Sequence, residues 1–281
     1  MDTSGKDPFI FIFSQNNSGT TVLSQFLSSN IKSSYLPPFG NYEGQWIPQV
    51  RPIMRNEPWK TKSQFNWKLI KQTWINNLQQ AHCDFFIEAS PPNMIRVNQI
   101  LKHFSPIQCI FFVSNPYLQI ASSIHRYAEK EDFDQAIRRF SEQWIQRAKI
   151  QINNCKKYYD IPLVTYEEFC KNPSKILNKL DNLLKIDAIH QQTSTRIEGK
   201  KNSQINTIHN MTPKHISFLG AKGLQDVNKI LEENRDIPEY FGYKPVNLKQ
   251  ANQILRRNPM LANEGLLNRI EWNRKNLKSS Q

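Results

Sequence analysis

The sequence is short of several things, and each shortage closes off a class of protein. Its 281 residues include four cysteines (Cys83, Cys109, Cys155, Cys170) with no CxxC spacing. Neither a disulfide framework nor a cysteine zinc site is therefore expected, and a reducing, cytoplasmic setting is the default. Nine glycines without a period exclude a collagen-like or flexible-linker chain. The longest apolar runs, Phe9–Phe13 and Cys109–Val113, fall far below the ~20 residues that span a bilayer, so no membrane partner is expected. The opening MDTSGKD has no basic n-region and no long apolar stretch, so no signal peptide is expected either. There is no GxSxG nucleophile elbow and no His/Cys/Asp metal-ligand spacing. Acidic residues are also scarce, 24 against 37 Lys and Arg, which leaves a formal charge of +13. That excess favours an anionic partner without choosing among nucleic acid, anionic lipid and a phosphorylated small molecule. Nucleic acid ranks last, since no RNP, zinc-finger or helix-turn-helix signature is found.

Packing material, by contrast, is ample: 38% of residues are apolar and 11% aromatic. This length and composition support one large domain that needs no disulfide or metal to hold it. Phe9–Phe13 reads as a strand buried on both faces. A polar loop, Ser14 to Thr21, follows it, and then Val22, Leu23, Phe26 and Leu27 at helical spacing. Phe85-Phe86-Ile87, ending at Glu88, is a second strand, after which Pro91-Pro92 open a helix bearing Ile95, Val97, Ile100 and Leu101. Ile110–Val113 is a third strand, ending at Ser114-Asn115-Pro116, with a helix carrying Leu118, Ile120, Ala121 and Ile124. A long helix is predicted from about 132 to 158. A short strand over 162–165 and a helix from Pro173 follow, then a polar loop from 195 to 213 and a final helix over 224–233. Strands alternating with helices predict an α/β fold, a single domain with a central, mainly parallel sheet flanked by helices. Ligands of such sheets bind at the carboxyl ends of strands. The domain is expected to span residues 1–245, with 246–281 a basic C-terminal extension, helical or partly ordered.

The loop after the first strand has the layout of a phosphate-binding loop. Ser14 stands where the first glycine of GxxxxGK[ST] would be, Gly19 at the second, and Thr20 where the lysine would be. Without that lysine an ordinary ATPase or kinase is not expected. A backbone nest at a helix N-terminus, with the hydroxyls of Ser18, Thr20 and Thr21, remains suited to a phosphate; helix capping by Ser18 is the plainer alternative.

Ser18-Gly19-Thr20-Thr21 after an apolar strand resembles the 5′-phosphosulfate loop of the sulfotransferases. Glu88-Ala89-Ser90-Pro91 resembles their E-K-[ST]-P segment. Val113-Ser114-Asn115-Pro116, with Ser122 eight residues after Ser114, resembles their 3′-phosphate segment. Val164-Thr165-Tyr166-Glu167-Glu168 with Asn172-Pro173 resembles their Y-E-[DE] segment, and Phe241-Gly242-Tyr243 a common C-terminal turn. The resemblance covers about residues 8–245. It implies a P-loop-like sulfotransferase fold and 3′-phosphoadenosine-5′-phosphosulfate (PAPS) as co-substrate, with PAP as product and no metal. It also implies in-line transfer of the sulfuryl group to a hydroxyl or amine, catalysed mainly by positioning and charge neutralisation.

Three positions depart from the family pattern. Asn17, Ala89 and Ser114 stand where the family carries cations. If donor binding is kept, other cations must serve, and Arg126 and Lys200-Lys201 are the candidates. The expected donor-binding set is thus Asn17, Ser18, Gly19, Thr20, Thr21, Ser114, Ser122, Arg126, Lys200 and Lys201. For the general base the resemblance implies a glutamate beyond the first helix, which Glu43 fits; Glu88, at a strand end, is the runner-up, with an ordinary role as a structural hydrogen-bond acceptor. His82, His103 and His125 are weaker candidates. Trp67 and Trp74 lie seven apart on a predicted helix and read as core. Tyr35 to Trp46, among Pro37-Pro38, Gly40 and Gly44, reads as a loop lining a site.

The preferred expectation is therefore a PAPS-dependent sulfotransferase acting on a small-molecule acceptor, a natural-product alcohol or amine; a homodimer is compatible with it. The alternative is a catalytically silent protein of the same fold that binds a nucleotide or a partner.

Overall fold

A computed structural model describes residues 7–61, 64–184, 197–198, 204–205 and 208–278. The elements in chain order are β1 (Asp7–Ser14), α1 (Thr20–Asn30), β2 (Ser34–Tyr35), α2 (Arg51–Met54), α3 (Trp67–Gln80), β3 (Phe85–Glu88), α4 (Val97–His103), β4 (Pro106–Val113), α5 (Pro116–Tyr127), α6 (Phe133–Lys157), β5 (Leu163–Thr165), α7 (Tyr166–Lys171), α8 (Pro173–Leu184), β6 (Ile197–Glu198), β7 (Gln204–Ile205), α9 (Thr212–Glu233), α10 (Asp236–Tyr240), α11 (Leu248–Arg257) and α12 (Pro259–Lys278). Two 3₁₀ turns, Gly44–Trp46 and Pro91–Ile95, complete the set. The fold is α/β. The chain divides into two compact units, one of Met1–Gln15, Gly19–Phe112 and Lys157–His209, the other of Asn16–Ser18, Val113–Lys156 and Asn210–Gln281.

The first unit holds a five-stranded sheet in the order β2-β3-β1-β4-β5. β1 pairs in parallel with β3, at Phe11↔Glu88, and with β4, at Ser14↔Phe112. Phe9 to Phe13 are all buried, as the unbroken apolar run requires of a central strand covered on both faces. Alternate residues of β1 share a face. Phe9, Phe11 and Phe13 are successive neighbours along it, and Phe9 and Phe11 meet Trp74 of α3 and Phe104 at ring separations of 5.2–6.2 Å. Trp67 and Trp74 are thus core residues, because two helical turns bring them to the same face of α3.

The second unit is helical. α9 packs on α5, α11 and α12. It starts at Thr212, twelve residues before the predicted Leu224, because it runs through a kink at Gly220 where two helical pieces join. Tyr117 ties three segments together: its hydroxyl bonds Asn228 and accepts from the Val246 amide at 2.9 Å, while Asn228 Nδ2 donates to the Val246 carbonyl at 2.9 Å. The helix expected from Pro91 is two pieces instead. Pro91–Ile95 is a 3₁₀ turn, and Arg96, with φ −121° and ψ 15°, separates it from α4. The buried Arg96 guanidinium donates to the carbonyls of Pro92 and Lys60 at 3.0 and 3.1 Å, which fixes that break.

Candidate functional site

In the first unit, polar side chains gather where β3 ends. Glu88, fully buried, is the last residue of that strand. Its Oε2 accepts from the Gly44 amide at 2.7 Å; its Oε1 accepts from the Ser90 amide at 3.0 Å and from Asn93 Nδ2 at 2.9 Å. The Gln45 amide donates to Ser90 Oγ at 3.1 Å, and Trp74 Nε1 donates to the Gly44 carbonyl at 3.3 Å. The turn Gly44–Trp46 is thereby fastened to the sheet through its backbone. Only glycine fits at 44, since a Cβ there would lie 2.5 Å from Glu88 Oε2 and 2.9 Å from the Trp74 ring. Burial pushes the Glu88 carboxyl up to about 7; the Ser90 and Gly44 donors pull it down, and the nearby Glu43 carboxylate pushes it up.

Glu43 immediately precedes that turn and is 9% exposed. Its Oε2 accepts from Gln45 Nε2 and, at 3.1 Å, from Trp46 Nε1. The Trp46 ring is itself held by the guanidinium groups of Arg55 and Arg51, at 4.4 and 5.2 Å from its centroid. The carboxylate therefore sits on a rigid support, and Trp46 meets it with an N–H.

The loop that opens α1 has two residues in the left-handed region, Asn17 with φ 59° and Gly19 with φ 88°. Within the first unit, a Cβ on Gly19 would lie 2.5 Å from the Tyr166 ring, so glycine is required there for conformation and for space. Tyr166 is placed by a capping box at the start of α7: Thr165 Oγ1 accepts from the Glu168 amide, and the Glu168 side chain accepts from the Thr165 amide, both at 3.2 Å. The Tyr166 hydroxyl donates to the His209 carbonyl at 2.9 Å. The Tyr-Glu-Glu motif thus has a physical reading, a ring against the loop glycine and a carboxylate that caps a helix. Gly19 caps α1 without a side-chain hydrogen bond, and the first turn of α1 carries no acid. Ser18 and Thr20 are buried and Thr21 is half-buried. Such a terminus presents backbone donors and the positive end of the helix dipole to an anion.

In the second unit, one face of α5 grips the start of the same loop. Gln119 Nε2 donates to the Asn16 carbonyl at 2.6 Å, Asn17 Nδ2 donates to Ser123 Oγ at 3.0 Å, and Arg126 Nη1 donates to Asn17 Oδ1 at 2.9 Å. Residues 119, 123 and 126 follow the i, i+4, i+7 spacing of one helix face. Ser122 lies beside them, half-buried, but it is Ser123 that bonds the loop. Arg126 is exposed, so it brings a solvated cation to Asn17. Ser114 is completely buried, and its hydroxyl has no hydrogen-bond partner among the described residues. Burial lowers the His125 pKa and lowers that of His215 to about 4; Lys214 and Arg126 add to both shifts, which leaves two neutral imidazoles here. Lys200 and Lys201 lie outside the described residues. Among the described residues no three His, Cys, Asp or Glu side chains group as metal ligands do.

The sequence matches no protein-family model, and no curated protein matches it. Among solved structures the chain is similar to the sulfotransferase domain from the curacin biosynthetic pathway, with 15% identity, a TM-score of 0.44, and coverage of 90% of this chain and 98% of that one. It is also similar to the sulfotransferase domain of the Synechococcus PCC 7002 olefin synthase, with 21% identity, a TM-score of 0.42, and coverage of 66% and 76%. A third similar structure is retinol dehydratase solved with retinol and PAP, with 13% identity, a TM-score of 0.34, and coverage of 97% and 82%.

Chemically, the two groups of side chains offer different things. The Glu43–Glu88 group offers a carboxylate on a stiff mount, suited to accepting a proton. The Asn17–Arg126 group of the second unit offers an exposed guanidinium bonded to a side-chain amide, a cation suited to a phosphate. On this face of α5 the sequence reading singled out Arg126 and passed over Ser123 and Gln119, which bond the same loop. Their signal was the helical spacing back from Arg126.

Proposed function

We propose that the chain binds PAPS and transfers its sulfuryl group to a hydroxyl or amine of a small-molecule acceptor, a natural product. The observation that carries this reading is the loop before α1. It has left-handed residues at 17 and 19, a first helical turn without acid, and a guanidinium on Asn17. In this reading backbone N–H groups from Asn17 to Thr21, with the hydroxyls of Ser18, Thr20 and Thr21, hold the 5′-phosphate. Arg126 supplies the charge that Asn17 lacks. Ser122, Lys200 and Lys201 are assigned to the 3′-phosphate, and Ser114, expected there from the sequence, is too buried to reach it; the backbone-rich loop carries the larger share of donor binding.

Glu43 takes the proton from the acceptor O–H or N–H as that atom attacks sulfur. The sulfur–oxygen bond to the 5′-phosphate breaks in line, and PAP leaves with the bond's electron pair. Glu88 does not touch the reacting atoms in this scheme. It fixes the Gly44 amide, and with it the turn that carries Glu43, so it is a positioning residue. A second reading, nucleotide binding without turnover, is favoured by one observation: Ala89 and Ser114, which stand at family cation positions, are both buried and uncharged.

The test is turnover. With PAPS and a panel of alcohols and amines, PAP should accumulate with at least one acceptor, and Glu43→Gln should slow that accumulation by about 10²–10⁴-fold. PAP binding without turnover of any acceptor would leave the silent reading in its place. No PAP binding would remove both.

A further inference from the structure

The last helix of the second unit is apolar on two faces. One face of α12 is fully committed. Trp272 is buried against Phe133 at a ring separation of 5.3 Å, and Ser217 Oγ donates to the Ala262 carbonyl at 2.6 Å. The other face is bare: Met260 is 86% exposed, Leu267 55% and Ile270 38%, with Leu266 at 51% along its edge. Residues 260, 267 and 270 fall within one narrow sector of the helix at its 3.6-residue period. Contiguous exposed apolar side chains of this kind mark an interaction surface.

Charge says what covers this one. Arg274 lies on the same sector, and Arg256 and Arg257 are exposed at the end of α11, a few residues before Met260. None of the ion pairs among the described residues involves these three. The two acids of α12 are already neutralised, Glu264 by Lys214 and Glu271 by Lys275 at 3.0 Å. Beside the apolar stripe the charges of α11 and α12 that enter no ion pair among the described residues are therefore all cationic. A second copy related by a two-fold axis would set those charges against their own kind and be repelled. A phosphodiester backbone would take the arginines and leave the stripe uncovered. A lipid surface takes both, since the acyl–headgroup boundary accepts the apolar side chains and anionic headgroups accept the arginines.

We infer that the outer face of α12 is a peripheral docking surface for a membrane carrying anionic phospholipid. No helix of the described residues is long and apolar enough to cross a bilayer. The association is one of lying on the surface, and it revises the expectation of no membrane partner, which rested on the lack of a spanning segment. It is independent of the reading of the site.

Sedimentation of the full chain with vesicles tests it, using phosphatidylcholine alone and phosphatidylcholine mixed with phosphatidylserine. The chain should bind the mixed vesicles, bind the neutral ones far more weakly, and be released by salt. Leu267→Glu should weaken binding at least ~10-fold, and Arg256→Gln and Arg257→Gln by about five-fold each. Met260→Glu, at the more exposed position, is the second variant should Leu267→Glu lower the thermal midpoint. Equal binding to both vesicle types, or unchanged binding by both glutamate variants, would overturn the inference. So would a dimer in light scattering that Leu267→Glu disperses, which would make a second copy the cover.

Discussion

Around Glu88 both carboxylate oxygens are occupied by fixed donors from Gly44, Ser90 and Asn93, and water is excluded. Around Asn17 the reverse holds. The charge belongs to an exposed arginine that bonds the Asn17 side chain. Both regions are polar and both are built on strand-to-helix connections, yet they store free energy differently. In the first, the polar groups hold one stretch of chain against another, so disturbing them costs folding. In the second, the proposed anion site, disturbing the groups should cost binding and leave folding alone.

The largest effect should come from emptying the first region. Glu88→Ala orphans three buried donors at about 1–3 kcal/mol each, which urea unfolding would read as a large drop in midpoint; a drop under 1 kcal/mol would mean that the region is not the fastener described. Glu43→Gln keeps the shape and removes the base, so kcat should fall by about 10²–10⁴-fold while PAP affinity stays put. A fully active Glu43→Gln beside a folded, PAP-binding but dead Glu88→Gln would exchange the two roles.

A pH series sharpens the contrast further. Glu88 keeps its proton up to about 7 in the folded chain, against 4.5 for the ordinary carboxyl, so the folded state binds more protons between those values. Stability should accordingly fall as pH rises through that window and level off above it, with a slope on the order of 1 kcal/mol per pH unit. Glu88→Gln should remove that slope, and an unchanged slope would trace it to another group.

In the second region the effects are smaller and confined to binding. Arg126→Ala removes one charged hydrogen-bond donor, worth ~1.5–3 kcal/mol, and should weaken PAP about ten-fold or more at an unchanged thermal midpoint. Thr20→Val should weaken PAP by only several-fold, since it removes one hydroxyl and keeps the backbone donors; unchanged affinity would take Thr20 out of the loop's contacts.

Much of this is legible in the sequence. The unbroken Phe9–Phe13 run could only be a strand covered on both faces, and a polar loop with a lone glycine before helical spacing marked the first connection. Glu88 at a strand end and Trp74 on a core helix face followed from period alone. The helix expected from Pro91 failed because nothing local announces that Arg96 turns back onto the carbonyls of Pro92 and Lys60. Ser123 was passed over for its neighbour because its partner, Asn17, is 106 positions away. The grip of Glu88 on Gly44 spans 44 positions and was equally invisible. Distant pairings of this kind are set by the sheet order, which local pattern does not encode.

The central proposal is that Arg126, bonded to Asn17, supplies charge to a bound anionic nucleotide. Calorimetric titration of PAP into the wild-type chain and into Arg126→Ala tests it most directly, with thermal midpoints measured alongside. The account predicts saturable binding by the wild type and affinity lower by about ten-fold or more in the variant, with both chains melting together. Equal affinity in the two chains, or no binding by the wild type, would contradict it.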